Sequence, residues 1–385
     1  VDFTGVEHFD LTLTEHGDAV TTGDGDDSVL GNAGNDTLRT ARGTDTIDGG
    51  AGNDRWDAIK GYLTASQAIV LDLTNGAIQS TYLGTATVQG IEMLTLVTGA
   101  GNDIITTLSA FFNDSLTTGG GTDRVKVAGG RDVANLGAGT DRLVLDWTGY
   151  GYGVSDSGIL SGALATGYDG NFNTAYGDTN RVDFTVVEHF DLTLTEHRDI
   201  ITVGDGNDVV NGNGGNDTLR TGKGLDAVDG GAGNDHWDAD KSFLTQTQAM
   251  VLDLTLTGLQ ASYGSGGQTS NVEMLTLLTG AGNDVITTLR ADFTDTLTTN
   301  GGNDRVFVGG GRDVVHLGLG DDTLLLDWSG YGYGVAGGLA TGGGVSPEGG
   351  HFGDFNTGYD STYRVDFTQV EHFGLTLTGH SDRIR

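Results

Sequence analysis

The sequence predicts an all-β protein, a solenoid of short parallel strands built from tandem repeats of about 181 residues. Three observations predict this class. Nine-residue units rich in glycine and aspartate follow one another without a gap, as in residues 22–57. A much longer segment returns twice along the chain in nearly identical form. Apolar residues alternate in short stretches, and no stretch has the periodicity of an amphipathic helix.

Each nine-residue unit predicts one turn followed by one short strand. Residues 22–57 read TGDGDDSVL, GNAGNDTLR, TARGTDTID and GGAGNDRWD. The glycines permit a tight turn that side chains would obstruct. The last three residues alternate as a strand does, with the eighth residue pointing inwards. Inward positions are therefore predicted at Val29, Leu38, Ile47 and Trp56.

The sixth residue of each unit is an aspartate, and this spacing predicts calcium sites. Neighbouring strands lie about 4.8 Å apart, so stacked turns bring their carboxylates to a similar separation. Calcium binds oxygen at about 2.3–2.6 Å, so one ion fits between two carboxylates, and turn carbonyls can complete its shell. The sequence predicts multiple Ca²⁺ ions with metal ligands at Asp18, Asp27, Asp36, Asp45, Asp54, Asp103, Asp123, Asp132, Asp141, Asp199, Asp208, Asp217, Asp226, Asp235, Asp284, Asp304, Asp313 and Asp322.

The long repeat sets the predicted domain organisation. VDFTGVEHFDLTLTEH begins at Val1, VDFTVVEHFDLTLTEH at Val182 and VDFTQVEHFGLTLTGH at Val365. Because the chain begins without methionine, we expect it to be a piece of a longer protein that contains a linear array of copies. The predicted domains are copy one at 1–181 with nonapeptide runs 13–57 and 98–144, copy two at 182–364 with runs 194–238 and 279–325, and the start of a third copy at 365–385.

One unit in each copy is irregular. Eleven residues, TLSAFFNDSLT, follow Asp103, and the sequence places Asp114 out of phase with the aspartates around it. We interpret this unit as a bulged coil with a weakened or missing calcium site. TLRADFTDTLT occupies the same place in copy two.

Less regular stretches separate the runs. Residues 59–90 contain AIVLDLTNG, which predicts a strand followed by a turn. Residues 147–181 and 328–364 are rich in glycine and polar residues, and the second stretch contains Pro347. Both are predicted to form longer loops that stand off the solenoid.

The tandem units resemble the RTX family of calcium-binding, type I secreted bacterial proteins. The resemblance implies a right-handed parallel β-roll with two nonapeptides in each coil and calcium between the turns on both edges. It places Asp18, Asp36 and Asp54 on one edge and Asp27 and Asp45 on the other. The sequence departs from the family pattern where Thr40 and Ala41 replace a glycine pair. An extracellular or cell-surface location follows from the same resemblance.

Composition agrees with cations as partners. Lysine and arginine total 19 against 53 aspartates and glutamates, for a net charge of -34. Such a charge argues against nucleic acid and against insertion into an anionic membrane. The chain has no cysteine, which excludes disulfides and thiolate metal sites.

Other recurring residues have both a structural and a functional interpretation. The histidine pairs, such as His8 and His16, could bind a transition metal, but their spacing favours surface or strand-packing roles. Glu7, Glu188 and Glu371 each precede a histidine, yet no nucleophile or oxyanion donors accompany them, so we expect no enzyme. Two aromatic clusters are either sugar-stacking platforms or packing under a loop, and they comprise Trp147, Tyr150 and Tyr152, and Trp328, Tyr331 and Tyr333.

The function predicted from these features is structural. We expect a calcium-stabilised repeat of a secreted bacterial surface protein, such as an adhesin, an S-layer protein or an extracellular filament. Its partners would be calcium ions and further copies of the same protein, with surface glycans as a second candidate. The alternatives are a carbohydrate-binding or polysaccharide-modifying RTX protein and the secretion and folding appendage of an exported enzyme.

Overall fold

The structure is a computed structural model that describes residues 6–108, 111–155, 157–174, 180–288, 292–339, 350–357 and 363–384. These residues form strands and turns, and none of them lies in a helix that could cross a membrane. The all-β class predicted from the sequence is confirmed. The chain divides into two compact units, Val1–Leu194 and Thr195–Arg385.

Short strands separated by turns make up unit 1. They are β1 Asp10–Thr12, β2 Ala19–Thr21, β3 Ser28–Leu30, β4 Thr37–Thr40, β5 Thr46–Asp48, β6 Arg55–Ile59, β7 Val70–Asp72, β8 Ser80–Tyr82, β9 Ala86–Gln89, β10 Met93–Val97, β11 Ile104–Thr106, β12 Ser115–Thr117, β13 Gly120–Gly121, β14 Arg124–Val127, β15 Arg131–Asn135, β16 Ala138–Gly139, β17 Arg142–Asp146, β18 Ser157–Ala163, β19 Gly167–Asn173, β20 Arg181–Val187 and β21 His189–Thr193.

Unit 2 repeats this order of elements. Its strands are β22 Ile200–Thr202, β23 Val209–Asn211, β24 Thr218–Thr221, β25 Ala227–Asp229, β26 His236–Asp240, β27 Val251–Asp253, β28 Leu259–Tyr263, β29 Gly267–Ser270, β30 Met274–Leu278, β31 Val285–Thr287, β32 Thr296–Thr298, β33 Arg305–Val308, β34 Arg312–His316, β35 Thr323–Asp327, β36 Val335–Leu339, β37 His351–Thr357, β38 Arg364–Val370, β39 His372–Thr376 and β40 Arg383–Ile384.

Successive nonapeptide strands of unit 1 alternate between two sheets. The first sheet has the order β1-β3-β5-β9-β8-β7-β11-β14-β17-β21. The second has the order β2-β4-β6-β10-β12-β15-β20-β19-β18. Val29 lies opposite Ile47, eighteen residues later, in a parallel pair. Two nonapeptides therefore make one coil, as the family resemblance implies.

Unit 2 has the corresponding sheets. One runs β23-β25-β29-β28-β27-β31-β33-β35-β39. The other runs β22-β24-β26-β30-β32-β34-β38-β37-β36-β40. Strand β38, which opens the third sequence copy, pairs with β34 as β20 pairs with β15 in unit 1.

The core of each coil is formed by the inward residue of each strand. Val29, Leu38, Ile47 and Trp56 are all 1% exposed or less, which confirms the inward position predicted for the eighth residue. Burial of these side chains supplies the hydrophobic part of the stability, about 1.5–3 kcal/mol for a fully buried aliphatic side chain.

Glycines at the turns let one coil lie directly on the next. Gly43 has a φ of 129°, which favours glycine, and a Cβ there would lie 1.9 Å from the carbonyl oxygen of Gly25. The turn carbonyl of one coil therefore points at the backbone of the following turn. This close approach leaves backbone oxygens at the edge where the aspartates lie.

The irregular stretches form antiparallel strands instead of open loops. Strand β7 confirms the strand predicted in AIVLDLTNG, and it continues into β8 and β9. Strands β18 and β19 form a hairpin that pairs with β20, and β36 and β37 do the same with β38. The prediction of long loops is therefore wrong for these strands, because main-chain pairing extends the second sheet. Pro347 lies outside the described residues.

Candidate metal centres at the turns

The sixth-position aspartates form ladders along the edges of the solenoid. The Oδ1 atom of Asp36 accepts the backbone N–H of Asp18 at 2.8 Å, and Oδ1 of Asp54 accepts that of Asp36 at 2.7 Å. On the other edge, Oδ1 of Asp45 accepts the backbone N–H of Asp27 at 3.1 Å. The structure thus joins the members of each set into a ladder of its own, as the resemblance implies for the two edges.

The remaining runs contain the same ladder. Each step is a backbone N–H donated to the Oδ1 of the aspartate one coil later, and the donor–acceptor distances are 2.7–3.1 Å. These steps join Asp103, Asp123 and Asp141, then Asp199, Asp217 and Asp235, then Asp208 and Asp226, and finally Asp284, Asp304 and Asp322.

In most ladder aspartates the second carboxylate oxygen has no hydrogen-bond partner although it is buried. This holds for Oδ2 of Asp27, Asp36, Asp54, Asp114, Asp123, Asp132, Asp141, Asp217, Asp235, Asp295, Asp304, Asp313 and Asp322. A buried oxygen without a partner costs about 1–3 kcal/mol, and an ion is one of its standard explanations. These oxygens and the turn carbonyls are hard ligands of the kind that calcium prefers. The residues present therefore fit Ca²⁺, which when bound would neutralise the paired carboxylates.

Burial raises the pKa of many ladder carboxyls above the ordinary aspartate value of 3.8. The pKa rises to about 8 at Asp132, Asp217 and Asp313, to about 7 at Asp141 and Asp322, and to about 6 at Asp54, Asp103, Asp114, Asp235, Asp284 and Asp295. Removal from water disfavours the charged form, and neighbouring carboxylates add to this at several positions. A divalent cation at the turn would reverse the preference.

Asp114 belongs to a ladder, so the prediction that it lies out of phase is wrong. It is 2% exposed, its N–H is donated to Oδ1 of Asp132 at 2.9 Å, and its own Oδ1 accepts the N–H of Leu94 at 2.7 Å. Asp295 donates to Asp313 in the same way at 3.0 Å. The two extra residues of the irregular unit lie before Asp114, so they lengthen the connection without shifting the carboxylate.

Each of the four runs ends at a glutamate that the sequence analysis did not assign to the sites. Oε2 of Glu92 accepts the N–H of Asp54 at 2.7 Å, and Oε2 of Glu188 accepts that of Asp141 at 2.9 Å. Glu273 and Glu371 accept from the last aspartates of the runs in unit 2 at 2.7 and 2.9 Å. The recurring Val-Glu or Ile-Glu pair was the signal available in the sequence.

Threonines bond the first aspartate of each run. The Oγ1 hydroxyl of Thr98 donates to Oδ2 of Asp103, and that of Thr279 donates to Oδ2 of Asp284. Thr14 bonds Asp18 at 2.8 Å in the same manner. At these positions a neutral donor already serves the second oxygen.

Two ladder aspartates instead contact a buried lysine. Nζ of Lys60 lies 2.5 Å from Oδ2 of Asp45, and Nζ of Lys241 lies 2.5 Å from Oδ2 of Asp226. All four side chains are fully buried. Burial lowers the pKa of each lysine, and the adjacent aspartate opposes that shift. Nothing in the nonapeptide pattern signalled these lysines, which follow the strand of a later unit.

The histidines and tryptophans have structural contacts. Nδ1 of His8 accepts the N–H of Asp26 at 3.1 Å, and Nε2 of His372 lies 2.7 Å from Asp321. Trp147 is 1% exposed and its indole N–H donates to the carbonyl of Ala128 at 2.8 Å. Across the described ranges no three histidine, aspartate or glutamate side chains form a metal-binding cluster. A calcium ion at these turns would draw on backbone oxygens as well as carboxylates.

Comparison with known proteins agrees with this geometry. The family model of the RTX calcium-binding nonapeptide repeat matches the chain in four copies, at residues 21–55, 111–146, 197–236 and 291–324. These segments are RTX repeats, which are calcium-binding motifs, and the chain is a calcium-binding repeat protein with a β-roll fold. RTX repeat proteins are typically secreted by the type I route. No curated protein matches the chain.

Proposed function

We propose that this chain is a structural repeat of a secreted bacterial surface protein, of the adhesin, S-layer or extracellular filament type. Its single strongest support is the array of buried aspartate oxygens without partners, which lies along both edges and recurs in two nearly identical copies. A binding or catalytic module seldom needs such repetition, whereas an extended structural element does.

Calcium would control when this structure forms. With a net charge of -34, the chain repels itself as long as the ladder carboxylates are ionised and unpaired. Calcium at the turns would remove that repulsion and join neighbouring coils. The chain would thus be exported unfolded and would fold when it meets extracellular calcium.

The domain organisation in the proposal follows the sequence copies. Residues 1–181, 182–364 and 365–385 are proposed as two full repeats and the opening of a third. Strands β20 and β21 begin copy two yet pair with β15 and β17, the last strands of copy one. Each copy therefore covers the open end of the copy before it, which favours a continuous array over separate domains.

The array can be tested by comparing recombinant chains of one, two and four copies in calcium. Electron microscopy should show particles whose length increases by a constant amount with each added copy. Labelled antibody against the repeat should decorate the outside of intact source cells. Independent globular particles of constant size, or labelling confined to the cell interior, would contradict the proposal.

Glycan binding is a second candidate because two tyrosines of the aromatic clusters face outwards. Tyr152 and Tyr333 are each 55% exposed, unlike the tryptophans beside them. A glycan array probed with the calcium-loaded chain tests this function. Binding that is lost in the double substitution Tyr152→Ala and Tyr333→Ala would favour it.

Glycan hydrolysis that is lost in Glu188→Gln would instead overturn the expectation that this chain carries no enzymatic activity.

A further inference from the structure

The buried lysine of each unit contacts the oxygens that a calcium ion would use. Nζ of Lys60 bonds Oδ2 of Asp45 at 2.5 Å, the carbonyl oxygen of Ala41 at 2.6 Å and that of Gly43 at 3.3 Å. All three acceptors belong to one turn. An ammonium group has three N–H donors and no acceptor, so the three oxygens match it fully.

Unit 2 contains the same arrangement. Nζ of Lys241 bonds Oδ2 of Asp226 at 2.5 Å and the carbonyl oxygen of Gly222 at 2.7 Å. The chain has only four lysines, and these two lie at equivalent places in the two copies. Recurrence in both units makes a chance contact a poor explanation.

The neighbouring coil also differs at these two positions. The last aspartate of each run donates its N–H to a glutamate, but the N–H of Asp45 is donated to the hydroxyl of Tyr82 at 3.3 Å. The hydroxyl of Tyr263 bonds the carbonyl oxygen of Asp226 at 3.2 Å. The ring of Tyr82 also lies 5.4 Å from Nζ of Lys60, close enough for a cation–π contact. A tyrosine hydroxyl therefore takes the place of the next carboxylate of the ladder, beside each buried lysine.

We propose that Lys60 and Lys241 are resident cations that take the place of calcium at Asp45 and Asp226. The calcium row on this edge then ends before Asp45 in copy one and before Asp226 in copy two. Asp45 and Asp226 differ in this respect from Asp36 and Asp217, whose second oxygens have no partner. At these two turns the lysine ammonium group neutralises the aspartate carboxylate in the absence of metal.

The inference rests on the calcium-binding part of the proposed function, and calcium counting separates the two. Equilibrium dialysis at saturating calcium would compare the full chain with two variants. The first combines Asp36→Asn with Asp217→Asn, which removes ligands whose second oxygen has no other partner. The second replaces both members of each buried pair, with Asp45→Asn, Lys60→Met, Asp226→Asn and Lys241→Met. Removing both partners leaves no lone buried charge, so this variant has the best chance of folding.

We expect the first variant to lose at least one calcium ion per substitution and the second to bind as many ions as the unmodified chain. A loss of ions in the second variant would overturn the inference while leaving the proposed function intact. An unmodified chain that binds no calcium would overturn both.

Anomalous scattering from crystals of the unmodified chain grown in calcium decides the matter without any substitution. The inference predicts calcium peaks beside Asp36 and Asp217, with the lysine ammonium groups still seated on Asp45 and Asp226. A calcium peak on Oδ2 of Asp45 or Asp226, with the lysine displaced, would contradict it even if the paired variant fails to fold.

Discussion

In most ladder aspartates the two carboxylate oxygens have different environments. Oδ1 accepts a backbone N–H from the preceding coil, and Oδ2 is buried without a hydrogen-bond partner. The first contact fixes the carboxylate in place, so the second oxygen is presented to an ion without further loss of side-chain freedom. Asp132 shows the cost of this arrangement without metal, because burial raises its pKa to about 8.

The stability of the metal-free chain should therefore fall as the pH rises. An aspartate whose pKa is raised in the fold binds more protons folded than unfolded, so its contribution is present below about 3.8 and is lost towards the folded pKa. Asp217 and Asp313, with pKa values of about 8, extend this loss to slightly alkaline pH. Each pKa unit corresponds to about 1.4 kcal/mol.

Circular dichroism of the metal-free chain between pH 5 and pH 8 measures this effect. We expect more β signal at pH 5 than at pH 8, where the ionised carboxylates disfavour folding. The urea midpoint of the calcium-loaded chain should instead rise with pH, because protons and calcium compete for the same oxygens. A metal-free β signal that grows as the pH rises would contradict the raised pKa values of the buried carboxyls.

At the scale of the strand and turn, the sequence predicted most of the geometry. The nine-residue period predicted the turns, the inward residues and the eighteen-residue pairing of Val29 with Ile47. It did not predict the hairpin of β18 and β19, because loop-like glycines and polar residues there are held by pairing to β20. Such pairing depends on a distant strand, which local composition does not reveal.

The site residues were predicted in the same uneven way. The nine-residue period located the aspartates of the regular units. It placed Asp114 out of phase because two extra residues precede this aspartate, although Asp114 lies in the ladder. Glu92 lies in a different segment from the run that it ends, and Lys60 reaches Asp45 from the end of another strand. These contacts arise only when coils stack, so spacing along the chain does not show them.

Asp114 should bind calcium as well as its regular neighbour does. Asp114→Asn and Asp132→Asn remove equivalent buried oxygens from one ladder, so each should lower the calcium count of the chain by a similar amount. Isothermal titration would compare them with Asp10→Asn, which changes an exposed carboxylate. Full calcium binding by Asp114→Asn, together with a deficit in Asp132→Asn, would restore the interpretation of a missing site.

At the scale of the whole molecule, composition and repetition carry the functional argument. The aspartates of the nonapeptide units, the excess of acidic residues and the two nearly identical copies predicted a calcium-dependent repeat protein. The four RTX matches agree. The binding partner could not be predicted, because a repeated scaffold presents much the same features whatever it supports.

The central claim is that calcium on the ladder carboxylates holds the β structure together, and far-ultraviolet circular dichroism during a calcium titration tests it most directly. The chain in excess chelator at pH 7.5 should give a mostly disordered spectrum, and millimolar calcium should restore a β spectrum. Asp36→Asn should require more calcium than the unmodified chain, whereas the exposed control Asp10→Asn should not. A full β spectrum in excess chelator, unchanged by calcium, would contradict the account.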